Sequence, residues 1–446
     1  MILSRYNISI QHKGHSYIYN SVSNCLMEVS DTLFAQIERL SGTDFSVNEL
    51  SFEKEEINCL CKSRIIVEND EDELSFCKSI ILPRRFDPTI ANITIAPTMD
   101  CNFRCFYCFE EHPKEYMSEE VVQSVIHYIN NQKQAKHFNF TWFGGEPLMA
   151  FPTIRKIWQS IQIPQDATRS VTVITNGYYM TREVVDAMKE LEIQTVQITM
   201  DGLFESYNAV KQMKTDRNCF QKLMDNVDYF AKIHKDILLS VRVNLDKKTM
   251  NEFVKMNDFI HQRYSSNDNI QVYPAFLKKN SQNEKIRRSA CFCGPEDVAE
   301  FAISSFEATG NVWILYPENH FNECAIRSVN SIAIDPSGRV YKCWEIIGDK
   351  RYAFGHLDKE GNVIVTEPKI LNRYLYGADP FSDNECLQCA YYPICFGGCP
   401  HIRIERALNR ADRKPCSNYK TYFESYIKAI IDRKENKNIH TQNVVL

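Results

Sequence analysis

No apolar run among the 446 residues approaches the length of a bilayer span. The opening stretch, MILSRYNISIQHKGHSYIYN, lacks the charged-then-apolar layout of an export signal. A large charge of one sign is absent as well. Against 52 Lys and Arg stand 57 Asp and Glu, a formal net charge of −5, which argues against a dedicated nucleic-acid or membrane-surface binder. Internal repeats and low-complexity tracts are missing. What remains is an ordinary globular composition, 44% hydrophobic and 24% charged, in a chain long enough for two or three domains. A cytoplasmic location is the default expectation.

Cysteine is the residue in excess, with seventeen copies. In a large chain without an export signal, clustered cysteines point to metal rather than to disulfides. One group is Cys101, Cys105 and Cys108. A second runs from Cys386 to Cys416, and Cys324 and Cys343 lie between the two. Cys25, Cys59, Cys61, Cys77, Cys219, Cys291 and Cys293 are scattered and read as small buried or semi-buried hydrophobes.

Residues 1–85 read as a separate unit. YNISIQ and HSYIYN alternate apolar and polar positions around HKGH, the pattern of a β-hairpin. SDTLFAQIERLSG has the start and stop signals of a short helix. Ser46 with Glu49 has capping-box spacing, and Ser51 is a second possible start for the next helix. RIIVEND follows as a short strand. Hairpin, helices and strand make a winged-helix-like pattern, and 78–90, with Pro83 and Pro88, reads as a linker. From 91 to 276 strand and helix alternate. The strands are expected at 92–97, 138–143, 170–176, 195–201, 238–245 and 270–276, which predicts an α/β fold built on a partial (β/α)6 TIM-type barrel. GGEP, TNG, DG and RVN end four of these strands, where barrels place their chemistry. Residues 277–323 read as a connection with one helix. Residues 324–430 are rich in cysteine, glycine and turns and are expected to be held by metal rather than by a large core. The polar end, DRKENKNIHTQNVVL, is expected to be disordered.

Cys101-x3-Cys105-x2-Cys108 supplies three thiolates just after the first barrel strand. A zinc site needs a fourth ligand, and His112 is the only local candidate. An iron–sulfur cluster with three thiolates instead leaves one iron open. This arrangement resembles the radical SAM superfamily, in which S-adenosylmethionine fills that position and is cleaved to a 5′-deoxyadenosyl radical. The resemblance implies cosubstrate contacts from Tyr107, from Gly144, Gly145 and Glu146 of GGEP, and from Asn176, Asp201, Arg242 and Asn244.

The later cysteines, Cys324, Cys343, Cys386, Cys389, Cys395, Cys399 and Cys416, resemble the seven-cysteine SPASM extension of radical SAM enzymes. A lone C-x2-C-x5-C-x3-C favours zinc; behind a radical SAM barrel the resemblance implies two auxiliary 4Fe–4S clusters, three in all. One would take Cys386, Cys389, Cys395 and Cys416, the other Cys324, Cys343 and Cys399. Some family members add an eighth cysteine shortly before the first of the seven. Here two readings stand: Cys291 or Cys293 reaches across, or that cluster keeps an open iron for a substrate thiolate.

The leading unit is similar to the PqqD-like recognition domain of ribosomal-peptide maturases, which binds a leader peptide by strand addition. The combined resemblance implies a maturase that crosslinks a precursor peptide through a thioether or another intramolecular bond. Its partners would be that peptide and an electron donor of flavodoxin or ferredoxin type. The alternative is a sulfatase-maturase-like dehydrogenase that makes formylglycine from Ser or Cys. Such enzymes place an Asp directly after the cysteine of the G-x4-C element. Here Cys343 is followed by Trp344 and Glu345, which leaves Glu345 as the weak candidate for a base.

Overall fold

In the computed structural model, strands Asn7–His12 and His15–Asn20 pair antiparallel with His12 opposite His15. Lys13 and Gly14 turn the chain between them at φ of 50° and 82°, as a two-residue type I′ turn requires. A third strand, Cys25–Val29, pairs with the second and was not expected from the sequence. Helix Asp31–Leu40 sets Leu33, Ile37 and Leu40 against Ile18 and Val29. The next helix is described from Lys54 to Lys62. Its possible starts at Ser46 and Ser51 lie outside the described residues, which are 1–40, 54–68, 72–213, 218–277, 292–310, 315–317, 321, 323–410 and 414–437. Ile66–Val67 pairs antiparallel with Ile2–Leu3.

The expected linker at 78–90 is mostly helix, Glu73–Arg85. Asp72 caps it by accepting from the N–H groups of Leu74 and Ser75, and Cys77 and Ile81 are buried. Pro83 falls in the last turn, where losing one N–H costs little against that cap and apolar face.

The contacts divide the chain into two units. The first joins Met1–Phe86 to Ala299–Arg327 and Tyr376–Leu446. Its core sets Tyr17, Tyr19 and Leu26 against Ala302 and Phe306, and against Phe423, Ile427 and Ile430 of the last helix. Full burial of side chains of this size contributes on the order of 2 kcal/mol each. That last helix runs from Tyr419 to Lys437, so the polar stretch 432–437 is helical rather than disordered.

The second unit comprises Asp87–Val298 and Ser328–Leu375. Its sheet contains the six expected strands, at Ile90–Ile95, His137–Trp142, Thr168–Thr175, Thr195–Thr199, Leu238–Leu245 and Ile270–Phe276. They lie side by side in chain order and all run parallel. Four strands absent from the sequence reading extend the sheet to ten. Ser331–Ile334 pairs parallel with the first strand, and Arg339–Tyr341, Gly355–Leu357 and Val363–Val365 follow antiparallel. Residues 331–365 therefore belong to the main sheet. Their strands are only three or four residues long, too short for periodicity to mark them. Among the described residues, no helix is long and apolar enough to cross a membrane.

Candidate active site

The parallel strands bring their polar ends together. The cysteine segment follows Ile90–Ile95, and Glu146, Asn176 and Asp201 follow the second, third and fourth strands. Arg242 and Asn244 lie on the fifth. The GGEP turn braces the cysteine segment through its backbone: Gly145 N–H donates to Thr98 O at 3.2 Å and Glu146 N–H to Asp100 O at 2.8 Å. Glycine is required here by contact. A β-carbon at Gly144 would stand 2.3 Å from Thr98 O, and one at Gly145 would stand 2.3 Å from Asp100 O.

Glu146 is fully buried. Its carboxylate accepts from Thr175 Oγ1 at 2.6 Å, Asn176 N at 2.7 Å and Leu148 N at 3.0 Å. Burial pushes its pKa up to about 7, with those donors opposing the rise. Asn176 Nδ2 donates to Asn102 Oδ1 at 2.8 Å and lies 3.8 Å from Cys101 Sγ. Across the site, Tyr107 OH donates to Asp201 Oδ2 and accepts from Asn244 Nδ2 at 3.0 Å. Asp201 Oδ1 accepts from Asn244 N at 3.1 Å, and Arg242 Nε donates to Asn244 Oδ1 at 2.9 Å. All eight residues expected at a cosubstrate site therefore lie at the strand ends or on the cysteine segment.

Cys101, Cys105 and Cys108 are free thiols. Burial raises all three, Cys101 to about 12, and neighbouring thiolates add to the rise at Cys101 and Cys108. Ionised together they call for cationic iron to offset burial and mutual repulsion. A 4Fe–4S cluster binds each thiolate to a different iron, and Cys101, Cys105 and Cys108 offer three free thiols on one short segment for such a group. His112 Nε2 lies 3.1 Å from Cys108 Sγ, which makes it a neighbour of a thiol.

In the first unit, Cys395 is raised by burial and then by the thiolates of Cys416 and Cys389, and Cys386 has Cys395 among its charged neighbours. Cys324 is raised by burial and by Cys399. Cys386, Cys389 and Cys416 are thus each electrostatic neighbours of Cys395, and Cys399 of Cys324. Arg403 donates from Nη1 to Cys386 Sγ at 3.4 Å and from Nη2 to Asp383 at 2.6 Å. Cys343 belongs to the second unit. Cys291 lies outside the described residues, and Cys293 sits by the fifth strand, its thiol 3.6 Å from Leu245 O. Glu345, half-buried, occupies the one-turn helix Trp344–Ile346. Trp344 stacks on Phe143 at 5.8 Å, and Met99 lies 3.0 Å from where a Gly348 β-carbon would be, so this segment borders both the GGEP turn and the cysteine segment.

One residue of the site was missed. Lys211, 2% exposed, pairs with Asp201 Oδ2 at 2.7 Å and donates to Tyr107 OH at 3.3 Å. Nothing in NAVKQMK marks it, since a lysine in a last helical turn is most often a solvated one.

Residues 95–260 match the model of the Radical SAM superfamily, and this stretch is a radical SAM domain, a class that uses a 4Fe–4S cluster and S-adenosylmethionine. The serine-type anaerobic sulfatase-maturating enzyme of Bacteroides thetaiotaomicron is 22% identical over 371 residues, 73% of this chain and 86% of that one. The radical SAM cyclopropyl synthase TigE of Paramaledivibacter caminithermalis is 21% identical over 493 aligned positions, 98% of this chain and 97% of its own. Among solved structures, native anSMEcpe with bound AdoMet and Cp18Cys peptide superposes with a TM-score of 0.56 at 18% identity, over 79% of this chain and all of that one. Streptococcus suis SuiB bound to precursor peptide SuiA gives 0.50 at 15% identity, over 94% and 98%. The chain has the fold of these proteins.

Proposed function

We propose that this chain is a radical SAM maturase of a ribosomally made precursor peptide, installing a thioether or another intramolecular crosslink. The observation that carries this reading is the reach of the likeness to TigE, 98% of this chain against 73% for the sulfatase-maturating relative. The longer match takes in the leading sheet and helices. Strands Asn7–His12 and Cys25–Val29 form the two edges of that sheet, and an edge strand is what a leader peptide needs in order to add itself.

Cys101, Cys105 and Cys108 would hold the SAM-binding cluster. Tyr107, Gly144, Gly145, Glu146, Asn176, Asp201, Arg242 and Asn244 would contact the cosubstrate. Cys386, Cys389, Cys395 and Cys416, and Cys324, Cys343 and Cys399, would hold two auxiliary clusters. When bound, cluster and cosubstrate supply a 5′-deoxyadenosyl radical that takes a hydrogen atom from the peptide. Closing a crosslink would remove a second hydrogen as a proton and an electron; the auxiliary clusters would accept the electron, and Glu345 is the candidate for the proton. An electron donor of flavodoxin or ferredoxin type completes the system.

The second reading, formylglycine formation, is supported by the 22% identity to the sulfatase-maturating enzyme over 86% of its length. Anaerobic reconstitution should give a brown protein with roughly a dozen irons for three clusters and reductant-dependent 5′-deoxyadenosine. Incubation with the peptide encoded beside the gene separates the readings. Loss of two hydrogens per crosslink, with no reaction toward an aldehyde probe, supports the maturase. An aldehyde-reactive product supports the rival, and an unchanged peptide during active cosubstrate cleavage counts against this substrate.

A further inference from the structure

The hairpin of the leading sheet has a base as well as a tip. Arg5 and Tyr6 lie just before strand Asn7–His12, and Ser21 and Val22 just after strand His15–Asn20. Asn7 stands opposite Asn20, and Ser21 N–H donates to Tyr6 O at 3.1 Å, so the two dipeptides run side by side. Helix Glu73–Arg85 holds the first of them. Buried Glu73 accepts from Ser4 Oγ at 2.6 Å and from Arg5 N at 2.9 Å, and a carboxylate taken out of water needs such donors.

From that base four side chains reach the segment 387–396. Tyr6 and Val22 are buried in one apolar cluster with Tyr392 and Phe396, and Cys386 packs against it. Arg5 Nη2 donates to Leu387 O at 2.6 Å, and Ser21 Oγ donates to Ala390 O at 2.5 Å. The two accepting carbonyls bracket Cys389, whose own N–H donates to Cys386 O at 3.1 Å. All these residues belong to the first unit. The helix that carries Cys386 is only Asn384–Leu387, far too short to hold its shape alone. Its course, and that of the turn to Cys389, is therefore set by the groups bonded to it from outside.

We propose that Arg5 and Ser21 are positioning residues of the metal group held by Cys386 and Cys389, so that the leading sheet builds one wall of that centre. The inference rests on the reading that these cysteines carry an iron–sulfur group. It goes further in giving residues some 380 positions away in the chain a part in holding it. A turn whose carbonyls are already fixed loses less conformational freedom when metal binds, which favours the loaded state.

The test follows iron release from the anaerobically reconstituted full chain to an Fe(II) chelator under reducing conditions. One cluster's share is about four of about a dozen irons. An Arg5→Met, Ser21→Ala variant should release that share on the order of tenfold faster than wild type, the worth of two ordinary hydrogen bonds. Arg5→Lys, which keeps a cationic donor, should release it more slowly than Arg5→Met. The same Arg5→Met, Ser21→Ala changes are then made in a Cys386→Ala, Cys389→Ala background. Release of the remaining iron should be unaltered there, because the turn no longer holds metal. Equal acceleration in that background, or none in the complete chain, overturns the proposal. If the double variant does not fold, Arg5→Met decides alone, since Arg5 is exposed and surface changes of that kind seldom move global stability. Faster release then supports the proposal, and an unchanged rate overturns it. A Cys386→Ala, Cys389→Ala chain that keeps the full iron content overturns the metal reading itself, and the inference with it.

Discussion

Gly398 lies so close to Pro415 that a β-carbon at position 398 would stand 1.6 Å from the Pro415 carbonyl oxygen. Gly398 also adopts a φ of +73°, which side-chain-bearing residues rarely accept. The contact joins the segment ending in Cys399 to the one ending in Cys416. Gly398→Ala is therefore expected to push these segments apart and to cost at least about 2 kcal/mol. Iron analysis and thermal melts of reconstituted protein check this. The expected result is loss of auxiliary iron with the SAM-cleaving site still active, and a full iron count at unchanged stability would refute it.

Arg85 anchors the helix that the proline content of 78–90 disguises. Its guanidinium, 3% exposed, pairs with Glu323 at 2.5 Å and with Asp379 at 2.7 Å. Removing Arg85 takes away the main partner of both carboxylates and leaves Glu323 only its longer pair with Arg327, at 3.5 Å. Arg85→Met should destabilise the first unit by about 3 kcal/mol, read as a lowered midpoint in urea. An Asp379→Asn, Arg85→Met double variant, which keeps Glu323 for Arg327, should recover part of that loss.

Glu146 gives stability a pH dependence whose sign is set by burial. Its carboxyl is raised from 4.5 to about 7 in the folded chain. The folded state thus holds this proton more tightly than the unfolded state does. The contribution is full below pH 4.5 and is lost as pH rises through about 7. In the metal-free protein, wild type should lose stability relative to Glu146→Gln between about pH 5 and pH 8. Urea denaturation across that range measures it; a constant difference between the two proteins would speak against the assignment.

Glu345 is the candidate base, and its segment borders the GGEP turn through the Trp344–Phe143 stack. Glu345→Gln should lower peptide modification by roughly 100-fold or more, the usual worth of a positioned base. Uncoupled formation of 5′-deoxyadenosine should persist, because no cosubstrate contact is changed. Mass spectrometry of the peptide beside chromatography of the nucleoside separates the two. Equal losses in both would place Glu345 in cosubstrate binding instead.

The parts legible in the sequence are those whose signal is local. Alternation along SVTVITN and LLSVRVNL marks strands because one face of each is packed. The hairpin could be read from the alternation on either side of HKGH, and the three-thiol segment from its spacing. Cys25–Val29 and the strands between Ser331 and Val365 were missed because they are short and owe their form to neighbours far away in the chain. The helix at Glu73–Arg85 was missed because Pro83 outweighed a cap and a buried face that sequence alone could not weigh.

By itself, the sequence determined the order of the parallel strands' candidates, the polar ends they carry and the cysteines available for metal. Those features depend on residues a few positions apart, where periodicity and turn chemistry act directly. Only the tertiary structure decided that the leading residues pack with 299–327 and 376–446, that Gly145 braces Asp100, and that Lys211 is a buried ion rather than a surface one. Each of these depends on groups distant in the chain sharing one desolvated space, and no local pattern encodes which distant group will be there.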